Sequence, residues 1–211
     1  MLQGSRKANA LRNLIYAWMS QGFTVIMNMV VRVIFVHVLS KDYVGISGLF
    51  SNIITILSVA ELGIGSAIVY GLYEPLARGE NKKVKALMQF YQRVYISIGC
   101  FILIAGIALT PYLSLFIKEM PDIPQLAFIY ILFVCNAASS YFFSYKGTLI
   151  SADQKDYILK RIRIKVLFLM YLVQITILLL TRDYIPYLLV QVLATIAMNF
   201  AFSLAADKAY P

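Results

Sequence analysis

Charged residues are scarce in this chain, and that scarcity is the first constraint on what the protein can be. Asp, Glu, Lys and Arg make up 14% of the 211 residues, whereas soluble domains carry about 25%. Apolar residues make up 61%, against about 45–50% in soluble domains. So few charges cannot solvate a surface with so many apolar side chains, and we therefore predict an all-α integral membrane protein.

Cysteine and histidine are also rare, with two and one residues respectively. Cys100 and Cys135 both fall in the middle of apolar runs, where a thiol behaves as a small apolar side chain, so we expect no disulfide. His37 has no second His or Cys near it in sequence, and we therefore expect no metal site.

Acidic residues are outnumbered by basic ones, 10 to 19, which gives a net charge of +9. With the N-terminus placed in the cytoplasm, fifteen Lys and Arg fall in cytoplasmic segments, and three, Lys41, Lys118 and Arg182, fall outside. This bias follows the positive-inside rule and predicts that both termini are cytoplasmic. The basic excess then meets anionic membrane lipids, and we expect no nucleic acid partner.

Long apolar runs recur along the whole chain, and a spanning helix needs about 20 such residues. Six runs predict a single transmembrane domain over residues 1–211 with six transmembrane helices. The predicted spans are residues 11–39, 44–70, 90–117, 123–150, 164–181 and 184–206.

Arg32 lies inside the first predicted span, where a charge costs roughly 2.5–3.5 kcal/mol on insertion scales. Gln21 and Asn28 precede it at spacings of eleven and four residues, which places all three on one helical face. This polar face favours a water-filled cavity or a substrate path. The alternative is that Arg32 extends along the helix to the membrane surface and has no functional partner.

Other predicted spans carry polar stripes too. The second carries Asn52 and has six residues in one sector, namely Ser47, Ser51, Thr55, Ser58, Glu61 and Gly65. The sixth has Gln191, Thr195 and Asn199 four residues apart. Small and hydroxylated residues also make ordinary helix contacts, but a carboxylate in lipid must pair, become protonated or face water. We therefore predict six helices around a hydrated cleft.

Several segments carry a family resemblance: "YVGISGLF" (Tyr43–Phe50), "SVAELGIGSAI" (Ser58–Ile68), "LYEPLA" (Leu72–Ala77) and "SYFFSYKGTLISADQKDYI" (Ser140–Ile158). Together with Arg32 late in the first span, they resemble bacterial Wzx-type polysaccharide flippases of the multidrug, oligosaccharidyl-lipid and polysaccharide exporter superfamily. That family has about twelve to fourteen spans in two lobes, so this chain resembles the N-terminal six-helix lobe. It is expected to be a fragment, a truncated chain or a half-size partner.

The resemblance implies translocation of undecaprenyl-diphosphate-linked oligosaccharide repeat units across the bacterial cytoplasmic membrane, for cell-surface polysaccharide biosynthesis. Arg32 would contact the diphosphate or an acidic sugar, because its planar fork suits phosphate and stays charged. Glu61 would bind a coupling H⁺ or Na⁺, with no other cofactor. A polysaccharide polymerase and other assembly proteins would be partners. The residues expected to hydrogen-bond sugar hydroxyls are Gln21, Asn28, Asn52 and Asn199.

Three alternatives remain at this point. A drug or cation antiporter of the same superfamily is disfavoured by a basic cavity residue. A scaffold that binds a polysaccharide assembly complex without moving anything is a second alternative. A membrane glycosyltransferase would need catalytic carboxylates in an inner loop, but the acidic residues there lie among lysines and suit a solvated face. We therefore expect no enzyme activity.

Overall fold

The computed structural model describes residues 2–61, 63–117, 121–142 and 144–210. Every regular element in these ranges is helical, which confirms the predicted all-α class for the described residues. The eight α-helices are α1 (Leu2–Val38), α2 (Lys41–Leu57), α3 (Ile64–Arg78), α4 (Asn81–Leu109), α5 (Leu126–Phe142), α6 (Tyr145–Ala152), α7 (Asp156–Thr181) and α8 (Tyr184–Ala209). Short 3₁₀-helices follow α2 at Ser58–Glu61 and α4 at Thr110–Leu115.

Four of the described helices, α1, α4, α7 and α8, are long and apolar enough to cross a membrane. A fifth crossing is formed if α5 and α6, which meet at a bend of 48°, are counted as one span. The protein is therefore a multi-helix membrane protein by length and composition, but the predicted count of six spans is not confirmed.

The second predicted span, residues 44–70, is not one continuous helix. The α2 helix ends at Leu57, a 3₁₀ turn follows, and α3 begins at Ile64. Gly63 precedes α3 with φ of 91°, a left-handed conformation that glycine adopts without steric cost. Hydropathy does not reveal such a break, because the residues on both sides of it are apolar.

The helices pack around two apolar clusters at opposite ends of α4. The α2 helix contributes Phe50 and Ile53 to a cluster that includes Leu113, just beyond the C-terminus of α4. The α3 helix contributes Leu72 to a second cluster with Tyr91, near the N-terminus of α4. Both helices contact α4, so the broken segment follows α4 along most of its length.

The remaining helices complete the bundle: α1 packs on α7, α7 on α8, and α8 on α5, which in turn packs on α4. The α4–α5 contact is the closest that the described glycines reveal. A Cβ atom added to Gly106 would lie 2.6 Å from Val134 Cγ1 and 2.7 Å from its Cγ2. Small residues allow transmembrane helices to approach in this way, so Gly106 sets the α4–α5 distance.

A polar contact fixes one end of α1 to the turn between α6 and α7. Asn13 Nδ2 donates to the Gln154 carbonyl at 2.9 Å, and Asn13 Oδ1 accepts from the Tyr157 N–H at 2.8 Å. Tyr157 is in the first turn of α7, whose N–H groups have no partner within the helix. Asn13 therefore caps α7 from another helix, which orders the end of the bundle opposite to Arg32.

Candidate functional site

A cleft of about 470 Å³ lies between α1 and α2, with side chains of α5 and α8 completing its walls. We call it the Arg32 cleft. Its polar lining residues are Asn28, Arg32, Ser47, Ser51, Tyr184, Tyr187 and Gln191. The structure thus joins the predicted stripe of the first span to Gln191 of the last one, 159 positions after Arg32 in the printed sequence.

Arg32 is an exposed side chain in this cleft, and no carboxylate among the described side chains lies within ion-pair distance of it. Its neighbour one turn earlier is positioned: Asn28 Oδ1 accepts a hydrogen bond of 2.8 Å from the Tyr171 hydroxyl of α7. That bond leaves the Asn28 amide donors free. The α1 face therefore offers the cleft two hydrogen-bond donor groups, the Arg32 guanidinium and the NH₂ group of Asn28.

The opposite wall contains tyrosines that the sequence did not indicate. The Tyr184 hydroxyl is hydrogen-bonded to Ser47 Oγ at 2.7 Å, which links α8 to α2. The Tyr184 ring is also in edge contact with Phe35, with ring centroids 5.1 Å apart. Aromatic side chains with a polar group suit a site that is apolar on one side and wet on the other. An aromatic residue at the start of a predicted span was the available signal.

Hydroxyl groups along α2 form what we call the hydroxyl ladder: Ser47, Ser51, Thr55 and Ser58. Each donates to the backbone carbonyl four residues earlier, with distances of 2.7 Å for Ser51, 2.8 Å for Thr55 and 2.9 Å for Ser58. Because each hydroxyl is already satisfied within its own helix, the ladder can border an apolar medium at low cost. The predicted stripe is therefore real on α2, but it ends where α2 gives way to the 3₁₀ turn.

Asn199 lies in a different cavity, of about 340 Å³, together with Thr195 and Ser140. Its side chain is buried, and its Nδ2 donates to the Ser139 carbonyl at 3.2 Å. Thr195 donates to Asn136 Oδ1 at 2.7 Å. These two residues of the α8 stripe thus hold α8 against α5, and the structure does not bring Asn199 to Arg32.

The other predicted site residues lie outside the Arg32 cleft. Gln21 and Asn52 are exposed side chains on α1 and α2, and neither lines the cleft. Glu61 is the last residue of the 3₁₀ turn after α2, and its side chain lies outside the described residues. Among the predicted site residues whose side chains the structure describes, only Asn28 and Arg32 therefore share one cleft.

The Arg32 cleft can bind an anionic group through Arg32 and neighbouring polar groups of the ligand through its hydroxyl side chains. A guanidinium binds phosphate or carboxylate through two parallel hydrogen bonds. A tyrosine hydroxyl can donate or accept, whereas the Ser47 and Ser51 hydroxyls, which donate to their own helix, can accept. The aromatic rings supply flat apolar faces of the kind that pack against ligand rings. A cation there would be repelled by Arg32, which has no carboxylate partner among the described side chains.

Comparisons with known proteins give no relative from which a function could be transferred. No family model matches the chain, and no curated protein and no solved structure is significantly similar to it. The flippase resemblance of the sequence motifs is therefore a hypothesis that these comparisons leave without support.

Proposed function

We propose that this chain forms one lobe of a transporter that moves an anionic, lipid-linked oligosaccharide across the membrane. The observation that carries the proposal is Arg32, a permanent cation without a described carboxylate partner, in a cleft lined by hydroxyl and amide groups. A lipid diphosphate is anionic and must cross hydrocarbon, so its path has to supply a cation. The motif resemblance adds undecaprenyl diphosphate as the lipid carrier.

The packing supports six crossings, although only four of the described helices are long and apolar enough to span alone and α5 with α6 gives a fifth. The α2–α3 segment begins near one end of α4 and finishes near the other, and α4 is itself long enough to span. We therefore infer that α2 and α3 together cross the membrane as one broken span. Discontinuous helices are common in transporters, where their ends line binding sites.

Cysteine labelling tests this topology. If α2 and α3 cross the membrane, Asn81 lies on the cytoplasmic side, and if they do not cross, Asn81 lies on the outer side. In a background without Cys100 and Cys135, a cysteine at Asp42 or Asp183 is expected to react with an impermeant thiol reagent in intact cells. A cysteine at Asn81 is expected to react only after permeabilisation. If Asn81 labels in intact cells as readily as Asp42 does, then α2 and α3 do not cross the membrane.

The break between α2 and α3 also suits the role proposed for Glu61. A carboxylate in a discontinuous span lies beside backbone groups that have no partner within a helix, and these commonly coordinate Na⁺ or H⁺ in transporters. We propose that Glu61 binds the coupling ion. In a transport assay, Glu61→Gln is then expected to remove the dependence on the ion gradient.

The transport function is tested with the full-length gene product in proteoliposomes that contain a fluorescent lipid-linked oligosaccharide. The expected result is movement of the labelled lipid between leaflets, driven by a pH or Na⁺ gradient. Binding without any movement would favour the scaffold alternative and overturn the transport proposal. A drug antiporter has no observation in its favour, because Arg32 has no described carboxylate partner and would repel cationic substrates.

A further inference from the structure

A third and larger cavity, of about 750 Å³, lies at the other end of the bundle from Arg32 and takes no part in the proposed transport path. It is bordered by the first three turns of α4, by α6, by the C-terminal end of α8 and by Leu76 of α3. Ligand pockets commonly have volumes of about 300–1,000 Å³. We call it the lysine cavity, because Lys85 of α4 and Lys146 of α6 both line it.

The lining of the lysine cavity is amphiphilic. Its polar wall carries the two lysines with Asn81, Gln89 and Gln92, which lie along one side of α4. Its apolar wall is formed by Leu76, Val84, Met88, Leu149 and Ala206. A ligand that fits both walls has an anionic head and an apolar part.

Most charges near this cavity are paired, but not all. Glu74 pairs with Arg78, Glu80 with Lys83, and Asp207 with Lys146, each at 2.7 Å. No carboxylate in the described part of the chain pairs with Lys85, which is exposed. Lys146 donates to both oxygens of Asp207, at 2.8 and 2.7 Å, so Asp207 competes with any other anion for it.

Tyr210 closes one side of the cavity and is held in place. Its hydroxyl donates to Asp153 Oδ2 at 2.5 Å, and the Lys155 ammonium lies 5.5 Å from its ring centroid. Burial raises the pKa of Tyr210, as do the hydrogen bond and the charge of Asp153. The phenol therefore remains a neutral donor, and the cavity keeps a fixed wall beside α8.

We propose that the lysine cavity binds the phosphate of an anionic phospholipid, with Lys85 and Lys146 on the phosphate and the acyl region against Val84 and Met88. The positive-inside rule places this end of the bundle at the cytoplasmic surface, where anionic lipids are abundant. Basic pockets between transmembrane helices at that surface bind lipid head groups. The inference requires only that the protein is embedded in a membrane, and it does not depend on transport.

The test measures retention of phosphatidylglycerol by the purified full chain in native mass spectrometry, with phosphatidylcholine as the neutral reference. A lysine that contacts the lipid phosphate is expected to contribute about 1 kcal/mol, or about five-fold in affinity. Lys85→Gln and Lys146→Gln are each expected to weaken phosphatidylglycerol binding about five-fold. Asp207→Asn is expected to strengthen it, because Lys146 is released from its partner.

Lys82→Gln is the matched control, since it removes the same charge from the same helix turn but does not line the cavity. An equal loss in Lys82→Gln and Lys85→Gln would show diffuse surface attraction and overturn the proposal. Binding of inorganic phosphate alone as tightly as the lipid would also overturn the proposal. Asp207→Asn keeps the test decisive if a lysine variant fails to fold, because the proposal predicts a gain for it. Transport failure with retained lipid binding would leave this site standing.

Discussion

Replacing Arg32 with glutamine is expected to weaken binding of undecaprenyl diphosphate by about 10- to 100-fold and to stop export. Hydrogen bonds to charged groups contribute about 1.5–3 kcal/mol, and every 1.4 kcal/mol is ten-fold in affinity. Arg32→Lys is expected to fail nearly as badly as glutamine, because a point charge cannot replace the planar fork of the guanidinium. Titration of the purified chain with undecaprenyl diphosphate measures the loss.

Arg182→Gln is the control for this experiment, because it removes the same charge from an exposed turn between α7 and α8. It is expected to bind and export normally. The alternative interpretation of Arg32, that it only reaches toward the membrane surface, makes the opposite forecast. In that case Arg32→Leu inserts at least as well as arginine does, and normal export by this variant would refute a role for Arg32 in substrate binding.

A second large effect is expected at Gly106, where α4 meets α5. An alanine Cβ at this position would overlap both methyl groups of Val134, a side chain with no exposed surface. Overpacking of this kind costs about 1–3 kcal/mol, so Gly106→Ala should lower the thermal stability in detergent, and Gly106→Leu should prevent folding. Fluorescence-detected size exclusion after heating measures both effects.

Two further variants, Gly71→Ala as a control and Val134→Ala as a rescue, test the close contact between α4 and α5. Gly71 lies in α3 with nothing within 4 Å of an added Cβ, so Gly71→Ala should leave stability unchanged or raise it slightly, as alanine favours helices. Val134→Ala should restore much of the stability lost in Gly106→Ala, since it removes the two overlapping methyl groups. A Gly106→Ala variant as stable as the parent would contradict the close α4–α5 approach.

Hydropathy predicted the long helices of this fold well but not its breaks. The helices α1, α7 and α8 contain the first, fifth and sixth predicted spans almost completely. The second and fourth predicted spans are each divided into two helices. Hydropathy did not predict this, because apolar content indicates that a segment lies in lipid but not whether its helix is continuous. Gly63 was the available signal for the first break, whereas no glycine or proline lies between Leu126 and Lys146 to mark the bend between α5 and α6.

The candidate site was partly predictable for a related reason. Helical spacing placed Asn28 and Arg32 on one face, and both line the Arg32 cleft. The same spacing could not tell which neighbour each stripe would meet, so Asn199 was grouped with residues that it does not approach. Lys85 and Lys146 come from helices distant in sequence and line one cavity, which likewise depends on tertiary packing alone.

The hydroxyl ladder on α2 has a consequence for how this surface responds to its surroundings. A serine that donates to its own helix has no proton left to donate to water, so this surface forms fewer hydrogen bonds with water than free hydroxyls would. Rotation of χ1 to another staggered well turns the oxygen toward the cleft, at the loss of a bond worth about 0.5–1.5 kcal/mol. Ser51, which lines the Arg32 cleft, can therefore change its hydrogen bonding on the picosecond-to-nanosecond timescale of side-chain rotation. The backbone does not have to move for the same helix face to border acyl chains and then to hydrogen-bond a polar group in the cleft.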